Sequence, residues 1–127
     1  MNKIILVGIG GFIGAALRYL LSGYVQDLLR NTDFPHGTFV VNITGCFLIG
    51  VLSYLVESQA AIPAEMRLLI MVGILGSFTT FSTFSNETMI MLQNQRIYAA
   101  LINISIHIIV GLSSVLLGRF TTAVMWR

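Results

Sequence analysis

The chain has 127 residues, 56% of them hydrophobic and 9% charged, and a mean hydropathy of +0.88. A water-soluble domain carries about 25% charged residues, so lipid must be the solvent for most of this chain. The net charge of +2 comes from seven scattered basic residues, Lys3, Arg18, Arg30, Arg67, Arg96, Arg119 and Arg127. That scatter argues against a nucleic-acid patch, and the single Cys46 leaves no internal disulfide and no Cys/His cluster at zinc-ligand spacing.

A length of this order fits one domain, 1–127. A membrane helix needs about 20 mostly apolar residues, and four stretches qualify: 4–25, 38–56, 68–92 and 97–124. Their length excludes barrel strands, which run about 10 residues with alternating polarity. The connecting segments 27–37, 57–67 and 93–96 hold both prolines, Pro35 and Pro63, and most of the charges.

The first span follows Met1-Asn2-Lys3 and superficially resembles a signal peptide. No A-x-A cleavage site is present and three more apolar runs follow, so a retained helix is expected. Gly8-Ile9-Gly10-Gly11-Phe12-Ile13-Gly14 misses the dinucleotide-loop spacing by one residue. Gly10 and Gly14 instead make a small-xxx-small face for close helix packing. Arg18 is the charge deep in this span, placed either to snorkel to the interface or to attract anions at a vestibule. The second span carries Thr38, Asn42 and Thr44. The Asn42 amide offers two donors, which suit either an anion or an interhelical hydrogen bond.

The third span reads Gly73-Ile74-Leu75-Gly76-Ser77-Phe78-Thr79-Thr80-Phe81-Ser82-Thr83-Phe84-Ser85-Asn86-Glu87, with five hydroxyls in positions 79–85. Gly76-Ser77 and Thr79-Thr80 weaken a helix there. A break would free backbone carbonyls for a cation and is tolerated only inside protein or beside a cavity; otherwise the hydroxyls bond back onto an unbroken helix. Phe81 and Phe84 share one helical face. Their positive ring edges could receive an anion without a full charge that would trap it, or the rings could simply pack. On the fourth span, Asn103, His107, Gly111 and Ser114 form one stripe. The N-x-[ST] triplets at Asn42, Asn86 and Asn103 fall inside apolar spans and read as polar groups held within the bundle.

An even number of spans puts both termini on one side. Lys3, Arg67 and Arg127 then face Arg30 and Arg96, with Arg18 and Arg119 near helix ends. Loop charge sets orientation, and so balanced a distribution predicts an antiparallel homodimer, which would also close a polar pathway too large for one thin bundle. No Ser/His/Asp set, P-loop or carboxylate pair is present, so an enzyme is not expected.

These residues resemble a known family. Gly73-x-x-Gly76 followed by Thr79-Thr80-Phe81-Ser82-Thr83-Phe84-Ser85-x-Glu87 is similar to the signature of the Fluc (CrcB) fluoride channels. Gly37-Thr38-x-x-x-Asn42, the glycine-rich first helix ending in Arg18, the length and the four-span layout resemble that family over essentially the whole chain. The resemblance implies an all-α, dual-topology antiparallel homodimer whose third helix breaks mid-membrane. It implies a central structural sodium ion (Na+) on the backbone carbonyls of Gly76 and Thr79, and a fluoride path lined by Phe81, Phe84, Asn42, Ser82, Thr83 and, on the fourth helix, Ser114. It also implies passive fluoride export across a bacterial inner membrane, with lipid, fluoride and a second copy as partners. Ser77 stands where the family often has a second glycine, and Val110-Gly111 stand where it often has Gly-Ser. Two rivals remain at this stage. A small multidrug-type proton-coupled antiporter shares the size and span number but needs a carboxylate in the first span, and positions 4–25 hold none. A non-transporting membrane subunit would use the polar residues only to hold helices together.

Overall fold

A computed structural model describes residues 2–29, 34–58 and 62–126; Arg30 and Arg127, counted above in the loop charges, lie outside the described residues. The described residues are mostly helical and include no strand, with four membrane-length spans at Lys3–Leu29, His36–Glu57, Ala64–Gln93 and Ile97–Met125. The chain is therefore the all-α, four-span protein its hydropathy predicts.

Helix α1 (Lys3–Leu29) runs four residues past the apolar stretch. Asp27 lies beyond the stretch that must sit in hydrocarbon, so nothing forces the helix to end at the polarity change. Helix α2 (His36–Glu57) begins just after Pro35, which donates no backbone hydrogen bond. Gln26 of α1 secures this start: its Nε2 donates to the Phe34 carbonyl at 3.2 Å and its Oε1 accepts from the Gly37 amide at 3.2 Å. One orphan amide of the α2 N-terminus is thereby satisfied.

The third span is the irregular one. It comprises α3 (Ala64–Arg67), a π-helical stretch (Leu68–Leu75), α4 (Gly76–Phe78) and, after a break, α5 (Phe81–Gln93). The break is two extended residues, Thr79 (φ −79°, ψ 155°) and Thr80 (φ −148°, ψ 110°). A turn with Gln95 at φ 58° leads to α6 (Ile97–Met125).

Small residues set the packing. A methyl on Gly10 would strike the Leu69 carbonyl, and one on Gly14 the Ile74 carbonyl and Ser77 Oγ, so α1 lies at backbone distance from the π-helical stretch. Between α2 and α6, Gly50 abuts the Val115 carbonyl and Gly118 the Phe47 carbonyl. Close backbone approach is what drives helix association in lipid. Val41, Leu75 and Phe78 form the buried core where these layers meet, flanked by Leu21, Ile49 and Leu52. Only 17% of the most apolar window of each span is buried, so most of the helical surface is left for lipid or another protein. At the far ends of α2 and α6, Arg119 pairs with both Glu57 oxygens at 3.0 and 2.6 Å.

Candidate pathway at the helix break

Extended backbone in the middle of a membrane span exposes amides and carbonyls that water cannot reach. Asn42 of α2 supplies the missing partners. Its Oδ1 accepts from the Thr80 amide at 2.8 Å, and its Nδ2 donates to the Thr80 carbonyl at 3.2 Å. The side-chain amide thus imitates a paired strand and holds the break from both sides. Gly45, one turn on, brings α2 against the Thr79 methyl. Of the two roles open to Asn42, the interhelical bond is present, and Asn42 also borders an open groove.

The clamp has a second effect. In a continuous helix the Thr80 amide would bond to the Gly76 carbonyl; here it goes to Asn42. The Thr83 amide would bond to the Thr79 carbonyl; here it goes to Thr80 Oγ1 at 3.2 Å, the N-cap bond that restarts α5. Gly76 and Thr79 are therefore left with carbonyls deprived of their helical donors, which is the chemistry a backbone-ligated hard cation requires. Among the described residues no cluster of His, Cys, Asp or Glu could hold a metal. Gly76 is exposed on the single chain, and a methyl there would meet only the Met71 carbonyl at 3.7 Å.

Two grooves flank Thr80. The first, about 620 Å³, is mostly apolar and is bordered by Asn42, Thr79, Thr80, Phe81, Phe84 and His107. Phe81 and Phe84 lie 5.6 Å apart between ring centroids, tilted by 49°. Phe84 is half-buried, whereas Phe81 is 80% exposed. The second groove, about 770 Å³, is the more polar of the two and includes Arg18, Thr38, Thr80, Thr83 and Glu87. Here Thr38 Oγ1 donates to Glu87 Oε1 at 2.6 Å. Arg18 makes no ion pair among the described residues.

The structure therefore gathers Asn42, Phe81, Phe84 and Thr79 on one side of the break and Arg18 and Thr83 on the other. Ser82 is exposed and within 3.3 Å of Thr80 Oγ1. Ser114 borders neither groove: its hydroxyl donates to the Ile43 carbonyl at 3.2 Å, linking α6 to α2. The stripe on α6 does share one face. Asn103, fully buried, donates to Thr88 Oγ1 at 2.9 Å, and a methyl on Gly111 would lie 3.6 Å from Cys46 Sγ. Of the three asparagines expected inside the bundle, Asn42 and Asn103 bond across helices, but Asn86 is exposed. The phase of α5 fixed by the Thr80 cap turns Asn86 outward. Sequence reasoning passed over Thr88; the Asn-x-Thr triplet that contains it is the signal that could have found it.

Known proteins bear on this arrangement. The family described as "CrcB-like protein, Camphor Resistance (CrcB)" matches residues 5–119. The chain is 46% identical over 121 residues to "Fluoride-specific ion channel FluC 1" of Methanosarcina acetivorans, covering 95% of this chain and 91% of that protein. It is 42% identical over 119 residues to "Fluoride-specific ion channel FluC" of Shewanella woodyi, covering 94% of each. "Fluoride-specific ion channel FluC 3" of Methanosarcina barkeri is 40% identical over 119 residues, 94% of this chain and 89% of that one. All three names describe channels rather than enzymes. Four spans and channel relatives make this a multi-pass membrane protein. The family resemblance drawn from the Thr79–Ser85 run and the first two spans is thus borne out: the chain belongs to the CrcB-like protein family.

Proposed function

We propose that the chain is a fluoride-selective channel, working as an antiparallel homodimer that lets fluoride leave the cytoplasm passively across a bacterial plasma membrane. One observation carries this reading: a transmembrane helix opened at Thr79-Thr80, clamped by Asn42, with the Phe81–Phe84 pair directly beyond the opening. The relatives named as fluoride channels supply the ion.

Fluoride is small and strongly hydrated, so its path must offer partial positive charge at close intervals. Ring edges, the second Asn42 N–H and the Ser82 and Thr83 hydroxyls can do so without a formal charge that would hold the ion. The Thr80 and Thr83 hydroxyls, 2.9 Å apart, form a short chain of rotatable donors at the start of α5. Arg18 would raise the local anion concentration at a vestibule. A second copy is the natural cover for Phe81, a large ring left 80% exposed beside the break. It is equally the natural source of further ligands for a cation, since among the described residues the break leaves the Gly76 and Thr79 carbonyls without their helical donors. Sodium held there would supply fixed positive potential and keep the broken helices apart.

Protein reconstituted in liposomes should release fluoride far faster than chloride. Phe81→Ile and Phe84→Ile should abolish release while the protein remains dimeric. Proton-coupled cation flux, or no flux of any ion, would overturn the proposal in favour of an antiporter or a non-transporting subunit.

A further inference from the structure

His107 borders the same groove as Phe81 and Phe84. Its Nδ1 lies 2.9 Å from the Asn103 carbonyl, one turn earlier on α6. An oxygen acceptor at that distance requires a proton on Nδ1, so the neutral ring keeps a bare Nε2. That Nε2 is buried and has no hydrogen-bond partner, an arrangement costly enough to need a reason. The ring itself is gripped from two helices. Phe84 of α5 stands 4.4 Å away at a 42° tilt, and Phe39 of α2 meets it edge-on at 5.3 Å and 81°.

We propose that His107 is a positioning residue for Phe84 whose own protonation throttles the anion path beside it. The inference rests on the channel reading given above. Histidine is the side chain whose charge ordinarily changes between about pH 5 and 8. Few other groups could produce such a response here. From α2 the groove receives Asn42 and the thiol of Cys46; from α5 it receives Phe84 and Thr88, neither of which titrates. Glu87 borders the other groove and is bonded to Thr38.

Protonation places a hydrogen on Nε2 and a full positive charge on the ring. An imidazolium against Phe84 is attracted to that ring's electron-rich face, fixing its pose. The same charge binds an arriving anion more tightly than ring edges do, and an ion that cannot leave blocks the next. The sign is therefore definite: fluoride current falls as pH falls.

Planar-bilayer recordings on the full-length protein test this directly, because they register fluoride ions and not neutral hydrogen fluoride. The unmodified protein should pass roughly threefold less current, or lower still, at about pH 5 than at about pH 8. His107→Phe, which keeps a stacking ring and removes the titratable group, should flatten the profile; His36→Asn, at the other histidine, should leave the fall intact. A pH-flat current from the unmodified protein, or an acid fall that persists in His107→Phe, overturns the inference and leaves the channel standing. No fluoride current at any pH overturns the channel and this inference together. Ring-nitrogen NMR of the unmodified protein in bilayers provides an arm independent of any variant: a His107 ring that never changes charge across this range overturns the inference.

Discussion

The two halves of the third span are built on opposite principles. The first half, through the π-helical stretch and α4, is pressed against α1 at backbone distance by Gly10, Gly14 and Gly73. Ser77 adds to the grip, its Oγ lying 2.9 Å from the Gly11 carbonyl and 2.8 Å from that of Gly73. The second half, α5, buries only Thr88 and Met91 and leaves Phe81, Met89 and Ile90 exposed. One half is an anchor, with no room for an added methyl where it faces α1. The other is a lining, with its aromatic and hydroxyl groups free to meet an ion or a second protein. The Thr79-Thr80 break is where the chain passes from one to the other, and Asn42 is the pin.

The anchor should break most completely. Gly14→Leu drives a side chain into the Ile74 carbonyl and Ser77 Oγ, and backbone cannot move aside as a flexible side chain can. A loss of roughly 3 kcal/mol or more is expected, seen as failure to recover folded protein from detergent. Normal yield and thermal stability in that variant would mean α1 is not seated as described. The pin comes next. Asn42→Leu leaves the Thr80 amide and carbonyl without partners inside the membrane, each worth about 1–3 kcal/mol. Fluoride efflux should disappear together with stability. Asn42→Asp, which keeps the acceptor for the Thr80 amide but loses the donor to its carbonyl, should fall between. If Asn42→Leu lost efflux while keeping its full unfolding midpoint, Asn42 would be an ion contact more than a clamp.

Within the lining the effects should be smaller. Thr38→Val removes the 2.6 Å donor to Glu87 Oε1, and Glu87 Oε2 is already buried without a partner. A destabilisation of about 1–3 kcal/mol is expected from the carboxyl group left bare, measured as a lower unfolding midpoint in micelles. An unchanged midpoint would mean that Glu87 turns readily to water in its groove.

Much of this contrast can be read from residue order, and part of it cannot. The four spans, the interruption near Thr79-Thr80 and the glycine face of α1 follow from run length, β-branched and hydroxyl residues, and small-xxx-small spacing. Three features stayed hidden for physical reasons. The π-helical register of Leu68–Leu75 leaves an unbroken apolar run either way, so no polarity pattern marks it. The partner of Asn42 lies 38 residues away, a separation set by how α2 crosses the third span and by nothing local. The two-sided division of the hydroxyls depends on the phase in which α5 restarts. The Thr80 cap fixes that phase, placing Thr83 in the more polar groove and Phe81 and Phe84 in the more apolar one.

The smallest change in the fold of one chain is expected at Gly76→Ala, and there the anchor and the proposed dimer make different demands. Although Gly76 belongs to the anchored half, its outer side is open, and an added methyl meets only the Met71 carbonyl at the ordinary distance of 3.7 Å. Alanine is also about 1 kcal/mol better than glycine in a helix. A single chain should therefore fold as well or slightly better. If two copies meet at the Gly76 and Thr79 carbonyls around a shared cation, the same methyl crowds the partner. The dimer fraction in dilute detergent should then drop, and sodium should protect the dimer less. A variant that folds, dimerises and responds to sodium as the unmodified protein does would move the meeting point of the two copies away from Gly76.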